Sequence, residues 1–332
     1  MILHPATLAL LCSSLLTGFM ALHAGWHGVR ILRRWEMGSG SELQLSLERR
    51  TYLVSTLVSV ACAVQLCSLF LFIYTADHLH GLFTGAMCAA GTLNANGFGY
   101  PVLLLKVANF LLAGSWLVIN HADSRGYDYP LIRAKYRLLL VIAPLLLVEA
   151  FLLFAYVRGL HADVITSCCG SLFGREKPGL AGDLASLPPG PMVAAFYGGM
   201  GATVALGIRH WRTGRGGLPF AAVSTLAFGV AAASLVSFIC LYVYELPTHH
   251  CPFCLLQKEY GYVGYLLYAT LLGGGVAGLG TGILDRFRSR GSMARVIPHL
   301  QRRLVAVTLL LYLAFTLIVT YRMLATPFTL LR

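Results

Sequence analysis

Along its 332 residues the chain alternates long apolar stretches with short segments that hold most of its charge. Eight apolar runs reach the length needed to cross a bilayer, about 20 residues each. They fall near 6–29, 52–76, 101–120, 138–157, 191–208, 219–243, 261–283 and 304–324. The pattern predicts an all-α polytopic membrane protein with eight transmembrane helices. The fifth run is the shortest and is interrupted by Tyr197-Gly198-Gly199-Met200-Gly201, so it is the span least secured by composition. The runs divide the chain into a first four-helix half (1–160), a connecting loop (161–190) and a second four-helix half (191–332).

Composition supports the same class. With 57% hydrophobic residues, only 11% charged ones and a mean hydropathy of +0.72, the chain falls outside the range of soluble globular proteins. Its partner by composition is the lipid bilayer. The net charge of +12 reads as a topology signal, because the basic residues sit in membrane-flanking loops and do not gather with aromatics into a nucleic-acid face. Eighteen of the 25 Lys and Arg residues fall in the loops after the first, third, fifth and seventh spans. By the tendency of basic loops to stay cytoplasmic, both termini are expected outside, as in a multi-pass protein of a bacterial inner membrane.

Two short matches suggest a duplication. Arg33-Arg34-Trp35 resembles Arg209-His210-Trp211, and Val54-Ser55-Thr56 matches Val223-Ser224-Thr225. Two parallel four-helix repeats would produce them, and so would chance similarity between apolar helices.

The loops assigned to the outer, periplasmic side hold the unusual chemistry. Cys88, the adjacent pair Cys168-Cys169, and Cys251 with Cys254 lie in three of them and together form one candidate site. The sharpest piece is His249-His250-Cys251-Pro252-Phe253-Cys254, read as a C-x-x-C at the start of a helix, where a thiolate would be stabilised and a disulfide could form and reopen. A bridge closing so short a loop removes little unfolded-state entropy, which favours a reversible dithiol over a permanent staple. Adjacent cysteines bridge one another only through a strained ring, so Cys168 and Cys169 are expected to bond different partners or a soft metal.

Histidines share the compartment. His78, His80, His249 and His250, with Cys251 and Cys254, form a ligand set suited to copper or zinc. Within the spans, ionisable residues are costly and therefore count as candidates. Lys106 and Glu149 fall at similar depth in the third and fourth spans and could pair, and Gln65 from the second span could extend a polar pocket for a quinone headgroup. Cys62, Cys67 and Cys240 lie inside spans and read as buried apolar residues. The glycines around 273–282 read as a close helix contact.

The segment Cys251-Pro-Phe-Cys254-Leu-Leu-Gln-Lys258 resembles the C-x-x-C-x-x-x-basic element of the DsbB and vitamin K epoxide reductase-like quinone-linked thiol oxidoreductases. In that family a dithiol at the outer end of a membrane helix passes electrons to a bound quinone. The resemblance covers about ten residues and implies a redox-active Cys251/Cys254 pair, with Lys258 beside the quinone. It also implies that Cys168 and Cys169 exchange with a periplasmic thioredoxin-like partner. The chain departs from that family in having eight spans and a vicinal second pair. The reading that follows is a membrane thiol-disulfide oxidoreductase that exchanges electrons with a quinone and a periplasmic thiol or metalloprotein partner. Two others use the same residues: a protein that binds or moves a soft metal, and a subunit of a larger respiratory or transport complex whose cysteines only staple its loops.

Overall fold

A computed structural model describes residues 3–35, 41–161, 164–166 and 180–330. Among these residues all regular structure is helical. The helices are α1 (Pro5–Arg34), α2 (Glu42–His78), α3 (Ala89–Leu93), α4 (Gly99–Asp123), α5 (Ile132–Arg158), α6 (Leu180–Ser186), α7 (Pro189–Thr213), α8 (Gly217–Ser234), α9 (Cys240–Tyr244), α10 (Val263–Asp285) and α11 (Met293–Ala325). A π-helical turn, Leu235–Ile239, joins α8 to α9. Eight of these helical stretches are long and apolar enough to cross a membrane, the fifth included, as a 25-residue helix. Phe19, Phe151, Leu226 and Leu310 remain exposed on them, as lipid-facing side chains would. The protein is a multi-pass membrane protein.

The helices form two compact units, neither continuous in sequence. The first comprises Met1–Phe72, Asn96–Leu160 and Ile283–Leu300. Here α1 lies along α5 because its facing positions are small. Gly18, Ala21, Ala24, Gly25 and Gly28 are buried at helical spacing, and a side chain at Gly28 would stand 3.1 Å from the Tyr136 ring. Small residues at a membrane helix contact let backbones approach and gain dispersion energy that lipid would not supply. Two buried ion pairs cross-tie the unit. Lys135 meets Asp123 at 2.7 Å, and Asp123 also accepts from the Leu131 amide at 2.9 Å, fixing the α4–α5 connection.

The second pair is the one expected from span depth: Lys106 and Glu149 meet at 2.7 Å, almost fully buried. Lys106 Nζ also donates to Ser68 Oγ (2.6 Å). The other Glu149 oxygen accepts from Gln65 Nε2 (2.5 Å) and Asn109 Nδ2 (2.7 Å). The α5 carboxylate is thus held by donors from two other helices, Gln65 of α2 and Lys106 and Asn109 of α4. A buried charge is tolerated only when so paired and hydrogen-bonded.

The second unit comprises Ile73–Ala95, His161–Gly282 and Gln301–Arg332. The α10 glycines do make close helix contacts. A Cβ at Gly282 would lie 2.5 Å from Ala221 Cβ, and one at Gly278 would lie 2.4 Å from Ser224 Oγ. A Cβ at Gly274 would lie 2.2 Å from the Tyr312 ring, whose hydroxyl donates to the Ser224 carbonyl at 3.0 Å. Gly274→Ala must displace that buried ring. It is expected to cost about 1–3 kcal/mol, read as a lower thermal unfolding midpoint in detergent; an unchanged midpoint would contradict this packing.

Candidate functional site

The second unit brings together three of the five loop cysteines. Cys88 Sγ lies 3.7 Å from Cys251 Sγ, and the sulfurs of Cys88, Cys251 and Cys254 all lie within 4.8 Å of one another. Cys88 and Cys251 have no exposed surface and Cys254 only 5%. Cys168 and Cys169, the remaining pair, lie outside the described residues.

Cys88 reaches this position through the segment after α2. Gly85 adopts φ +87 with its α-carbon against the Thr166 carbonyl, where any Cβ would stand 2.5 Å from that oxygen, so only glycine fits. The chain then enters α3, a fully buried single turn with Cys88 at its N-cap position. The Ala89 amide donates to Asp77 Oδ1 at 3.2 Å. Next to the cysteine, the Met87 carbonyl accepts from Gln257 Nε2 at 2.7 Å, which ties the Cys88 segment to the one that follows Cys254.

The C-x-x-C itself differs from the sequence expectation, because it does not open a membrane helix. Cys251–Phe253 are irregular, Cys254–Leu256 form a 3₁₀ turn, and Gln257 is extended. A second 3₁₀ turn follows at Lys258–Tyr260, and Gly261 and Tyr262 both take positive φ before α10 begins at Val263. These two left-handed residues lie seven and eight residues after Cys254, and α10 starts only at the ninth, so its N-terminus does not begin at the C-x-x-C. Side chains hold the motif instead. Tyr244 Oη donates to the Cys251 carbonyl (2.6 Å) and Tyr268 Oη to the Pro252 carbonyl (2.5 Å). Cys240 Sγ donates to the same Cys251 carbonyl at 3.5 Å.

The π-helical turn supplies another anchor. Widening a helix by one residue leaves carbonyls without their usual amide partners, and the Val236 carbonyl accepts from His250 Nδ1 at 2.8 Å. His249 lies on the other side of the motif. Its ring packs edge-on against Tyr244, with centroids 4.6 Å apart, and its Nε2 stands 3.4 Å from Cys254 Sγ. Burial, with Cys254 and Glu259 nearby, holds the Tyr260 hydroxyl above the usual phenol range.

A cleft of about 720 Å³ has a wall that includes Tyr74, Asp77, Met87, Leu256, Lys258 and Tyr265. It is walled by residues next to Cys88 and just after Cys254. His78 and His80 also line it. Each has a local partner: His78 stacks on Tyr74 with centroids 4.4 Å apart, and His80 Nδ1 bonds the Asp77 carbonyl. Of the four histidines expected as ligands, His249 has a ring nitrogen beside a sulfur, while His78 and His80 line the cleft.

Four contributors escaped sequence reading: Cys240, Tyr244, Tyr268 and the π-helical turn. Cys240, taken as a buried apolar residue, is buried but bonded to the motif. Its i, i+4 spacing from Tyr244 on an apolar helix was the available signal. Comparison with known protein families, curated proteins and solved structures gives no match to this chain.

Proposed function

We propose that the protein is a membrane thiol-disulfide oxidoreductase working from the periplasmic side of a bacterial inner membrane. The observation that carries this reading is the convergence of Cys88, Cys251 and Cys254 from segments 163 residues apart into sulfur contact. Exchange needs a thiolate within reach of a disulfide sulfur, a base for its proton and a leaving thiolate. Each has a candidate here.

With Cys251 and Cys254 bridged, Cys88 thiolate attacks Cys251 Sγ. The Cys251–Cys254 bond breaks, a Cys88–Cys251 bond forms, and Cys254 leaves as a thiolate that His249 Nε2 stabilises or protonates. Reduction of the new bridge by a partner dithiol, relayed through Cys168 and Cys169, leaves the partner as a disulfide. Re-oxidation of Cys251 and Cys254 gives two electrons and two protons to a quinone, which becomes the quinol. The balance is one partner dithiol plus one quinone to one disulfide plus one quinol.

The residues around the cleft suit a quinone headgroup. Tyr74 and Tyr265 offer ring faces, and Lys258 is an exposed donor on its wall. Lys106, Glu149 and Gln65 are bonded to one another, so they enter this reading as a packing cross-tie. The quinone supplies the two-electron sink; the chain orients the sulfurs and limits water.

Disulfide mapping of purified protein, followed by a dithiol-to-quinone assay, tests the reading. The expected result is a reducible Cys251–Cys254 bridge and quinol formation that Cys254→Ser abolishes. Reduced wild-type protein that leaves quinone unreduced would sink it.

A further inference from the structure

We propose that the reduced sulfur cluster is also a soft-metal site, with Cys88, Cys251 and Cys254 as thiolate ligands and His249 Nε2 as the fourth. This goes beyond the redox reading and does not depend on it. Zinc–sulfur bonds of about 2.3 Å at tetrahedral angles place neighbouring sulfurs about 3.8 Å apart. The Cys88–Cys251 separation is 3.7 Å, and no pair among the three exceeds 4.8 Å. The three thiolates need only small side-chain adjustment, while His249, beside Cys254 but outside that group of three, must turn its ring further in.

Three further observations point the same way. The donor set is soft, and with one imidazole it matches the Cys₃His composition of closed zinc sites. The main chain is fixed in advance, because the Cys251 and Pro252 carbonyls are held by Tyr244 and Tyr268, and ligands oriented by outer hydrogen bonds bind metal more tightly. Further soft donors stand on the wall of one cleft: Met87, 63% exposed and next to Cys88 in sequence, together with His78 and His80. The other histidine of the motif, His250, already bonds the Val236 carbonyl, which leaves His249 as the ring that turns toward the sulfurs.

A thiolate bound to zinc cannot at the same time be half of a disulfide. Metal and bridge therefore exclude one another, and the ion would hold the three thiols reduced.

The test uses the full-length protein, reduced and metal-free in detergent, titrated with Zn²⁺ and in parallel with Co²⁺. We expect one Zn²⁺ per chain and a thiolate-to-cobalt charge-transfer absorption in a tetrahedral spectrum. Cys88→Ser should lose both, and His249→Gln should weaken binding by more than about tenfold while the unfolding temperature of the metal-free protein stays unchanged. Oxidation to the Cys251–Cys254 disulfide should release the ion. Retention of zinc by Cys88→Ser, or binding no tighter than in a variant lacking all three cysteines, would overturn the proposal. Both outcomes are read on the ion, so they stand apart from quinol formation.

Discussion

Glu149→Leu should be the most destabilising single change in the first unit. It strands the Lys106 ammonium, which is wholly buried, and removes the acceptor of the Gln65 and Asn109 donors. Breaking a buried pair by removing one partner typically costs about 3–5 kcal/mol, because an uncompensated charge remains in apolar surroundings. The expected result is a large drop in folded yield and in the denaturant midpoint in micelles. Glu149→Gln should cost less, since an amide oxygen still accepts from Gln65 or Asn109. Adding Lys106→Met to Glu149→Gln should recover most of the loss, for then no ammonium is left to strand. The new amide hydrogens would also find Asn109 Oδ1, a buried oxygen without a hydrogen-bond partner among the described residues. If the double variant were no better than Glu149→Leu, the cluster would be contributing something other than packing.

The second large effect falls on Cys88. Under the relay proposed above, Cys88→Ser leaves the Cys251–Cys254 bridge intact but removes the nucleophile that passes it on. Steady-state dithiol-to-quinone turnover should fall by about a hundredfold or more, the scale expected when a covalent step is lost. One disulfide per chain should still form when reduced protein meets quinone. A burst of one quinol followed by near-silence distinguishes this from Cys254→Ser, which should give no burst at all. Equal turnover in Cys88→Ser and wild type would remove Cys88 from the relay and leave it as a neighbour of the motif.

Much of the fold was legible in the sequence because lipid imposes a simple rule: a spanning helix must be long, apolar and internally hydrogen-bonded. All eight runs therefore reappear as helices, including the glycine-interrupted fifth. The Lys106–Glu149 pairing was legible for a related reason, since two opposite charges at matching depth in an apolar medium have few other partners. The site was legible only in part. Residue type marked Cys88, Cys251 and Cys254, yet spacing could not show that Cys88 would contact Cys251, because that contact depends on a tight glycine at position 85 and on the Gln257–Met87 bond. The expected helix at the C-x-x-C failed because two short 3₁₀ turns separated by an extended Gln257 follow Cys254, and the left-handed residues Gly261 and Tyr262 hold back α10 until Val263. Cys240 and Tyr244 were hidden for the opposite reason. On an apolar helix, a cysteine and a tyrosine look like core until their polar atoms are seen to meet a carbonyl.

The π-helical turn at Leu235–Ile239 has a geometric effect beyond the carbonyl it offers to His250. Each residue of an α-helix advances about 100° around its axis, so one extra residue in a single turn swings everything beyond it by roughly that angle relative to a regular helix. Cys240 and Tyr244 lie directly beyond this turn. Without the added residue, both side chains would sweep about a quarter-circle away from the C-x-x-C, and the Cys251 carbonyl would lose two of its donors. The same added residue lengthens the span without adding a full rise, so the aim of those two side chains is set by one position's worth of backbone, well inside the helix.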